Sequence, residues 1–438
     1  MGASLEITPH AVRRYLLEKQ GLRPDANGST NGSATATATK SGDRDILSQI
    51  RNLECVQIDP VAAVERNQHL ALFARMPAYR PSELEKLLQN GMVFEYWANA
   101  ACVIPMEDYA MFEVTRRRMR ERLQPELDDL GPVVRLVLER LEADGPLPAK
   151  AFATEERVRG YWDNASPRTK ATSHALNLLY DMGCIEVVRR EGATRFFDIR
   201  EKVIPKHLLS QALDIDNEEA QRSLLEKYMR AYRVFDPGDA RLGWHPMALK
   251  QRREVLDRHV RQGTVTPLAV KGVRRSYYML AEDVDNLQRH EDDVRGDGVA
   301  QDVDSLQRHT DAVRQEGLAL SGPVRFLPPL DNLLWRRERI EDLFHFPYTW
   351  EVYLPAVRRR YGYYALPILA GNSFIGRIDP RLDREHGRLV IRLLQLEAGV
   401  RWSAQLRRNL QRAIETFASF HGATESSIER TEPEGLSL

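Results

Sequence analysis

Cysteine is scarce in this 438-residue chain, where Cys55, Cys102 and Cys184 stand far apart. An odd, sparse set carries no disulfide framework, and no C-x-x-C or H-E-x-x-H pair offers zinc a ligand spacing, so no metal is expected. Long hydrophobic runs are missing as well. None approaches the roughly 18 residues of a membrane span, so no membrane partner is expected. The opening Met1-Gly2-Ala3-Ser4-Leu5-Glu6-Ile7 has neither the basic start nor the apolar stretch of a secretory signal, and the expected location is the cytoplasm. No G-x-G-x-x-G with an acidic ribose partner occurs, and no Walker loop, so no nucleotide cofactor is expected. Neither charge is in excess: 63 Lys+Arg face 63 Asp+Glu. That balance excludes a uniformly basic, histone-like protein but not a basic face offset by an acidic one.

What is present reads as an ordinary globular chain of about three domains, with 42% hydrophobic and 29% charged residues. Only 10 of the 63 basic residues are lysine. Codon bias in a GC-rich genome is the plain reading of this, and arginine also binds phosphate bidentately where lysine cannot.

Thr8-Pro9-His10 predicts a helix start, with Thr8 as N-cap and Pro9 at the first helical position. Residues 24–43 are rich in Gly, Ser, Thr and Ala and read as a disordered loop. A helix is expected over about Arg44–Leu53. An extended Cys55-Val56-Gln57-Ile58-Asp59 follows, and then a helix from Pro60 carrying Val61, Val64, His69, Leu72 and Phe73. Residues 131–200 hold the clearest local pattern. Helices are expected at Gly131–Ala143, Ala149–Phe152 and Thr169–Met182, then two β-rich runs joined at Glu191-Gly192-Ala193. Three helices and a hairpin make the winged-helix plan. Helices at Glu218–Arg233 and Met247–Gln262 precede a second hairpin, and the N-terminal block ends in β structure over Val93–Ile104.

The fold class expected is therefore α+β, with tandem winged-helix (helix-turn-helix) modules, a C-terminal β-rich region, and the whole cupped around DNA. The units are 1–125, 126–210 and 211–282 as winged helices, 283–320 as a duplicated helical insertion, 321–425 as the β-rich region and 426–438 as a tail. In the insertion, Asp283–His290 returns as Asp302–His309, and both copies read as surface helix with solvated histidines. In the β-rich region strands are expected at Trp350–Leu354, Gly362–Ile368, Ser373–Ile378 and Arg388–Leu396, with a turn at Gly371-Asn372. A helix follows over Ser403–His421, and the polar tail from Gly422 reads as frayed.

Chemistry centres on Gln57-Ile58-Asp59. In an extended segment side chains alternate, so Gln57 and Asp59 share one face. A carboxylate beside an amide can hold one water and take its proton, or stabilise a developing cation. A plainer reading stands beside this one: Asp59 before Pro60 also fits a helix N-cap followed by a first-turn proline. The second signal is basic. Arg116, Arg117, Arg118, Lys170, Arg274, Arg275, Arg358, Arg359 and Arg360 are the expected DNA-binding residues, the last three interleaved with Tyr353, Tyr361, Tyr363 and Tyr364.

Several segments together resemble the winged-helix DNA glycosylases of the YcaQ/AlkZ type, which unhook interstrand crosslinks. They are Val56-Gln57-Ile58-Asp59, Glu95-Tyr96-Trp97-Ala98, Leu327-Pro328-Pro329-Leu330-Asp331 and Leu334-Trp335-Arg336-Arg337-Glu338. Arg359–Pro367 with Gly376-Arg377-Ile378-Asp379 completes the set. The resemblance implies catalytic roles for Gln57 and Asp59 and a monofunctional glycosylase for N7-alkylated purines and crosslinks. It also implies a monomer acting on double-stranded DNA with alkylated or crosslinked guanine. The arginine usage and Asn99-Ala100 lead to the expectation of a role in self-resistance to a DNA-alkylating natural product. Where that branch has His-Glu after the second motif, this chain has Asn99-Ala100. A non-enzymatic winged-helix transcriptional regulator is the alternative reading.

Overall fold

Thr8 does start the first helix. Its side chain accepts the Ala11 N–H at 3.3 Å, and Pro9 opens the helix Pro9–Lys19. The computed structural model of the chain describes residues 5–23, 43–152, 154–160, 163, 168–296 and 322–437. The Gly/Ser/Thr/Ala-rich loop, apart from its last residue, lies outside the described residues, as does the second copy of the repeat with His309.

The first copy corrects the expectation of a solvated helix. Helix Val284–Gly296 packs against Pro9–Lys19, and Leu287 and Glu291 are fully buried. Glu291 accepts from both the N–H and the hydroxyl of Thr8, at 2.9 and 2.6 Å. His290 is buried 3.1 Å from the Glu18 carboxylate. Buried polar groups need such partners, and the first helix supplies them.

Besides the two-stranded pair Arg157–Val158 and Thr169–Lys170, four sheets organise the described residues. The first orders Val56–Gln57, Ala101–Pro105 and Val93–Trp97, with Ala101–Pro105 in the middle. In the second, Thr194–Ile199 lies between Leu147–Pro148 and Ile185–Glu191. Gly192 turns its hairpin at φ 57°, a conformation that glycine adopts without strain. Helices Gly131–Asp144 and Ala171–Asp181 accompany this sheet, but the expected middle helix is one short turn, Ala149–Ala151.

The third sheet orders Leu5–Ile7, Val265–Val270, Tyr277–Leu280 and Val234–Phe235. Leu5–Ile7 pairs in parallel with Leu268–Val270, so the N-terminal segment adds a strand to the sheet of the 211–282 region, while the Lys19 and Gln20 carbonyls accept hydrogen bonds from Asn52 and Arg75. The fourth and largest runs Val324–Phe326, Leu366–Ala370, Ser373–Asp383 and Arg388–Leu396. Three expectations fail here, the first being the strand at Gly362–Ile368, which begins only at Leu366. Trp350–Leu354 is not a strand but contains the tight turn Glu351–Tyr353, and the polar tail is not frayed. Glu425–Ile428 and Thr431–Glu432 both pair in parallel with Arg388–Leu396, which gives the backbone of a polar segment its hydrogen bonds. Among the described residues no helix is long and apolar enough to cross a membrane.

Candidate active site

Gln57 ends the strand Val56–Gln57, and the Ile58 N–H still donates to the Ala101 carbonyl at 2.8 Å. The extended run therefore continues to Ile58, and alternation puts Gln57 and Asp59 on one face. The helix expected from Pro60 starts only at Asn67, so Asp59 caps no helix. Its Oδ1 instead accepts the Val61 N–H at 2.8 Å and shapes an open loop. Burial raises the Asp59 carboxyl above the ordinary aspartate range, and the Val61 N–H partly opposes this. Such a carboxylate is a better proton acceptor than a fully solvated one.

Gln57 is buried and held at both ends. Its Oε1 accepts from Asn99 Nδ2 at 3.0 Å, and its backbone carbonyl accepts from Asn67 Nδ2 at 2.8 Å. The Asn99 Oδ1 in turn accepts the Tyr232 hydroxyl at 2.9 Å and Arg241 at 3.0 Å. Because Asn99 donates to Gln57 Oε1, the free Nε2 end of Gln57 is left to donate to a ligand. Sequence reasoning missed Asn67, Tyr232 and Arg241 as site residues. Asn99 showed only as a departure from the expected His-Glu, and no local pattern marks the others.

The motifs around this strand act as clamps. Asn67 exchanges two hydrogen bonds with Leu330, and Asn332 donates to the Leu53 and Cys55 carbonyls at 3.2 and 2.8 Å. Arg75 grips Asp331 bidentately at 2.6 and 3.0 Å, with both side chains fully buried. On the other side Glu95 pairs with Arg190 at 2.5 and 2.7 Å. Tyr96 and Trp97 donate to the carbonyl and the carboxylate of Asp181. A cavity lined by Arg66, His69, Glu95 and Arg190, among others, includes neither Gln57 nor Asp59. Burial pushes the His69 imidazole down to about 3, so it stands neutral, hydrogen-bonded to Tyr79 at 2.8 Å. Among the described residues no group of three or more His, Cys, Asp or Glu is placed to hold a metal.

The basic residues divide. Arg116 is a correction: it is 0% exposed and cannot meet phosphate. Its guanidinium lies 3.7 Å from the ring centroid of Tyr109, 4.6 Å from Tyr96 and 5.7 Å from Phe94. Arg117 spends its donors on the carbonyls of Ala212, Leu213 and Ile215 and on Asn217. Arg118 is half-buried, and burial with Arg122 nearby lowers its pKa. Arg275 is tied to Asp342 at 2.8 Å, and Arg359 donates to the Leu354 carbonyl and stacks on Tyr363. Lys170, Arg274, Arg358 and Arg360 are exposed, and Lys170 stands at the start of helix Ala171–Asp181.

A family model for the AlkZ-like DNA glycosylases matches residues 50–420. The structure is similar to that of Streptomyces sahachiroi DNA glycosylase AlkZ, with a TM-score of 0.57 at 14% identity, covering 98% of this chain and 100% of that chain. At that identity the likeness speaks for the mixed α+β fold, and the family match speaks for the enzyme class. The reading as a non-enzymatic regulator gives way to it. The chain belongs to the AlkZ-like DNA glycosylase family and is a DNA glycosylase.

Proposed function

We propose that the protein hydrolyses the N-glycosidic bond of N7-alkylated purines in double-stranded DNA, including the guanines of interstrand crosslinks. The observation that carries this is the half-buried Asp59 carboxylate, unengaged in any helix cap and following a Gln57 that Asn99 holds in place. N7-alkylation makes the purine cationic and a ready leaving group, so no acid need protonate it. The C1′–N9 bond breaks, its electron pair neutralises the purine, and the sugar becomes oxocarbenium-like. Asp59 stabilises that charge and takes a proton as water adds to C1′. Gln57 positions the water or the deoxyribose. The products are the free alkylated base and an abasic site.

A crosslinked base is tethered to the opposite strand and resists ordinary flipping, so an open site approached along a groove suits this substrate. In this reading the three helix-and-hairpin units act as winged helices cupped around the duplex, with Lys170, Arg274, Arg358 and Arg360 toward phosphate. The enzyme acts as a cytoplasmic monomer, and self-resistance to a DNA-alkylating natural product is the setting that fits its substrate.

The test is incubation with duplex carrying one N7-guanine crosslink, followed by alkali. Cleaved single strands, lost with Asp59→Asn, are the expected result. Crosslinked DNA that is bound yet unchanged would remove crosslinks from the substrate class, and a panel of N7 and N3 monoadducts would then define it.

A further inference from the structure

The two most exposed large apolar side chains among the described residues lie four residues apart in one short loop. Val357 is 94% exposed and Tyr353 81%, with Leu354 beside them at 36%. Large apolar groups that face water singly are common, but three on one turn mark a contact site.

The turn is rigid. The buried Glu351 carboxylate accepts the N–H groups of Arg360, Tyr361 and Gly362 at 3.2, 2.8 and 3.2 Å. Leu354 N–H closes on the Glu351 carbonyl and Arg358 N–H on that of Pro355, both at 2.9 Å. Gly362 sits at φ 121°, where a Cβ would stand 2.0 Å from Asp379, so only glycine lets the loop dock there. A tip held this way loses little entropy on binding.

Ring contacts lead from the turn toward Tyr364. The Trp350 ring lies 5.6 Å from Tyr353 on one side and 6.0 Å from Tyr364 on the other. Tyr364 in turn lies within the field of Asp59, whose charge adds to burial in raising its phenol pKa. Two aromatic rings therefore separate Tyr353 from the neighbourhood of the reacting carboxylate.

Charge selects the partner. Residues 352–364 contain three arginines and no acidic residue. An apolar tip followed by exposed cations suits a base stack flanked by phosphates. We propose that Tyr353 and Val357 form a wedge that enters the duplex at a base step beside the lesion, with Arg358 and Arg360 on the flanking phosphates. Opening that step brings the glycosidic bond to Asp59 without requiring the tethered base to leave the helix. The wedge rests on the reading that the Asp59 site works on duplex DNA.

The experiment uses a duplex with 2-aminopurine one step from N7-methylguanine. The full-length protein carries Asp59→Asn, so nothing is excised. Binding is expected to raise 2-aminopurine fluorescence severalfold. Adding Tyr353→Ser and Val357→Ser, both surface changes, is expected to abolish the rise while affinity falls less than about tenfold. In the wild-type background the same pair should slow excision at least about tenfold. A full fluorescence rise in the triple variant, or none in Asp59→Asn itself, overturns the wedge. Excision that Asp59→Asn abolishes and the Tyr353/Val357 pair leaves untouched overturns the wedge alone. A fluorescence rise without excision in the wild type overturns the lesion class and keeps the wedge.

Discussion

Asn99 donates from Nδ2 to the Oε1 of Gln57 at 3.0 Å, and this one contact fixes which end of the glutamine faces outward. An amide can present either its oxygen or its nitrogen, and here the oxygen is taken. Asn99 can hold this pose because Tyr232 and Arg241 both donate to its own oxygen. Asn99→Ala is therefore expected to lower kcat about tenfold, near 1.4 kcal/mol, with little change in KM. Asn99→Asp keeps the acceptor and loses the donor, so it should not restore the rate. In a double-mutant cycle with Gln57→Ala the two effects should overlap rather than add. Additive losses in single-turnover excision would mean that Asn99 acts apart from Gln57.

Elements whose signals lie within a few residues were legible in the sequence. Thr8-Pro9 started its helix, and Gly192 turned its hairpin, because each needs only its neighbours. Contacts between distant segments were not legible. Nothing in Leu5–Ile7 announces a partner at Leu268–Val270, and nothing in Glu425–Ile428 announces Arg388–Ile391. The Gln57–Asp59 pair was visible as a spacing, but its surroundings were not. The helix expected at Pro60 begins seven residues later, where Asn67 is bound to Leu330 across the chain. That tertiary tie, with Asp59 engaged at Val61, outweighs the local Asp-Pro signal.

Asp59→Asn should reduce excision at least about 100-fold, near 3 kcal/mol of barrier, with duplex affinity little changed. Asn keeps an acceptor for the Val61 N–H, so the loop survives. Burial raises the Asp59 carboxyl, so the wild-type rate should fall with pH through a midpoint above the ordinary value of about 4. The stability sign follows from the same direction. With the folded pKa above the unfolded one, the contribution of Asp59 to stability is full at pH below the unfolded value and lost as pH rises through the folded value. Asp59→Asn should therefore melt no lower than the wild type at pH 7, with any advantage shrinking in acid. A lower melting temperature at pH 7 would show that the carboxylate is structural.

The Arg75–Asp331 pair holds the Val56–Gln57 strand from behind through Asn332 and Asn67. Both partners are fully buried, so removing one leaves an uncompensated charge. Asp331→Ala is expected to cost about 3–5 kcal/mol in denaturant unfolding. An apolar replacement of both residues should recover part of that. If Asp331→Ala unfolded at the wild-type midpoint, the pair would not be the clamp described above.

Arg116 and Arg358 look alike in sequence, each within a run of arginines, and the fold separates them. Arg116 is enclosed by Tyr109, Tyr96 and Phe94 and hydrogen-bonded to the Tyr109 carbonyl at 2.9 Å. Gly183, at φ 69°, lies against it, where a Cβ would stand 2.4 Å from its side chain. Arg116→Ala should therefore destabilise the protein by about 3 kcal/mol or more and leave the salt dependence of DNA binding unchanged in whatever fraction folds. Arg358 and Arg360 are exposed at the foot of the apolar turn. Arg358→Ala and Arg360→Ala should leave unfolding within about 0.5 kcal/mol of the wild type. Each should flatten the slope of log K against log salt by about 0.9, the increment of one phosphate contact. A change in slope for Arg116→Ala, or none for the other two, would reverse this assignment. It would place the duplex against the face from which Arg116 is now buried.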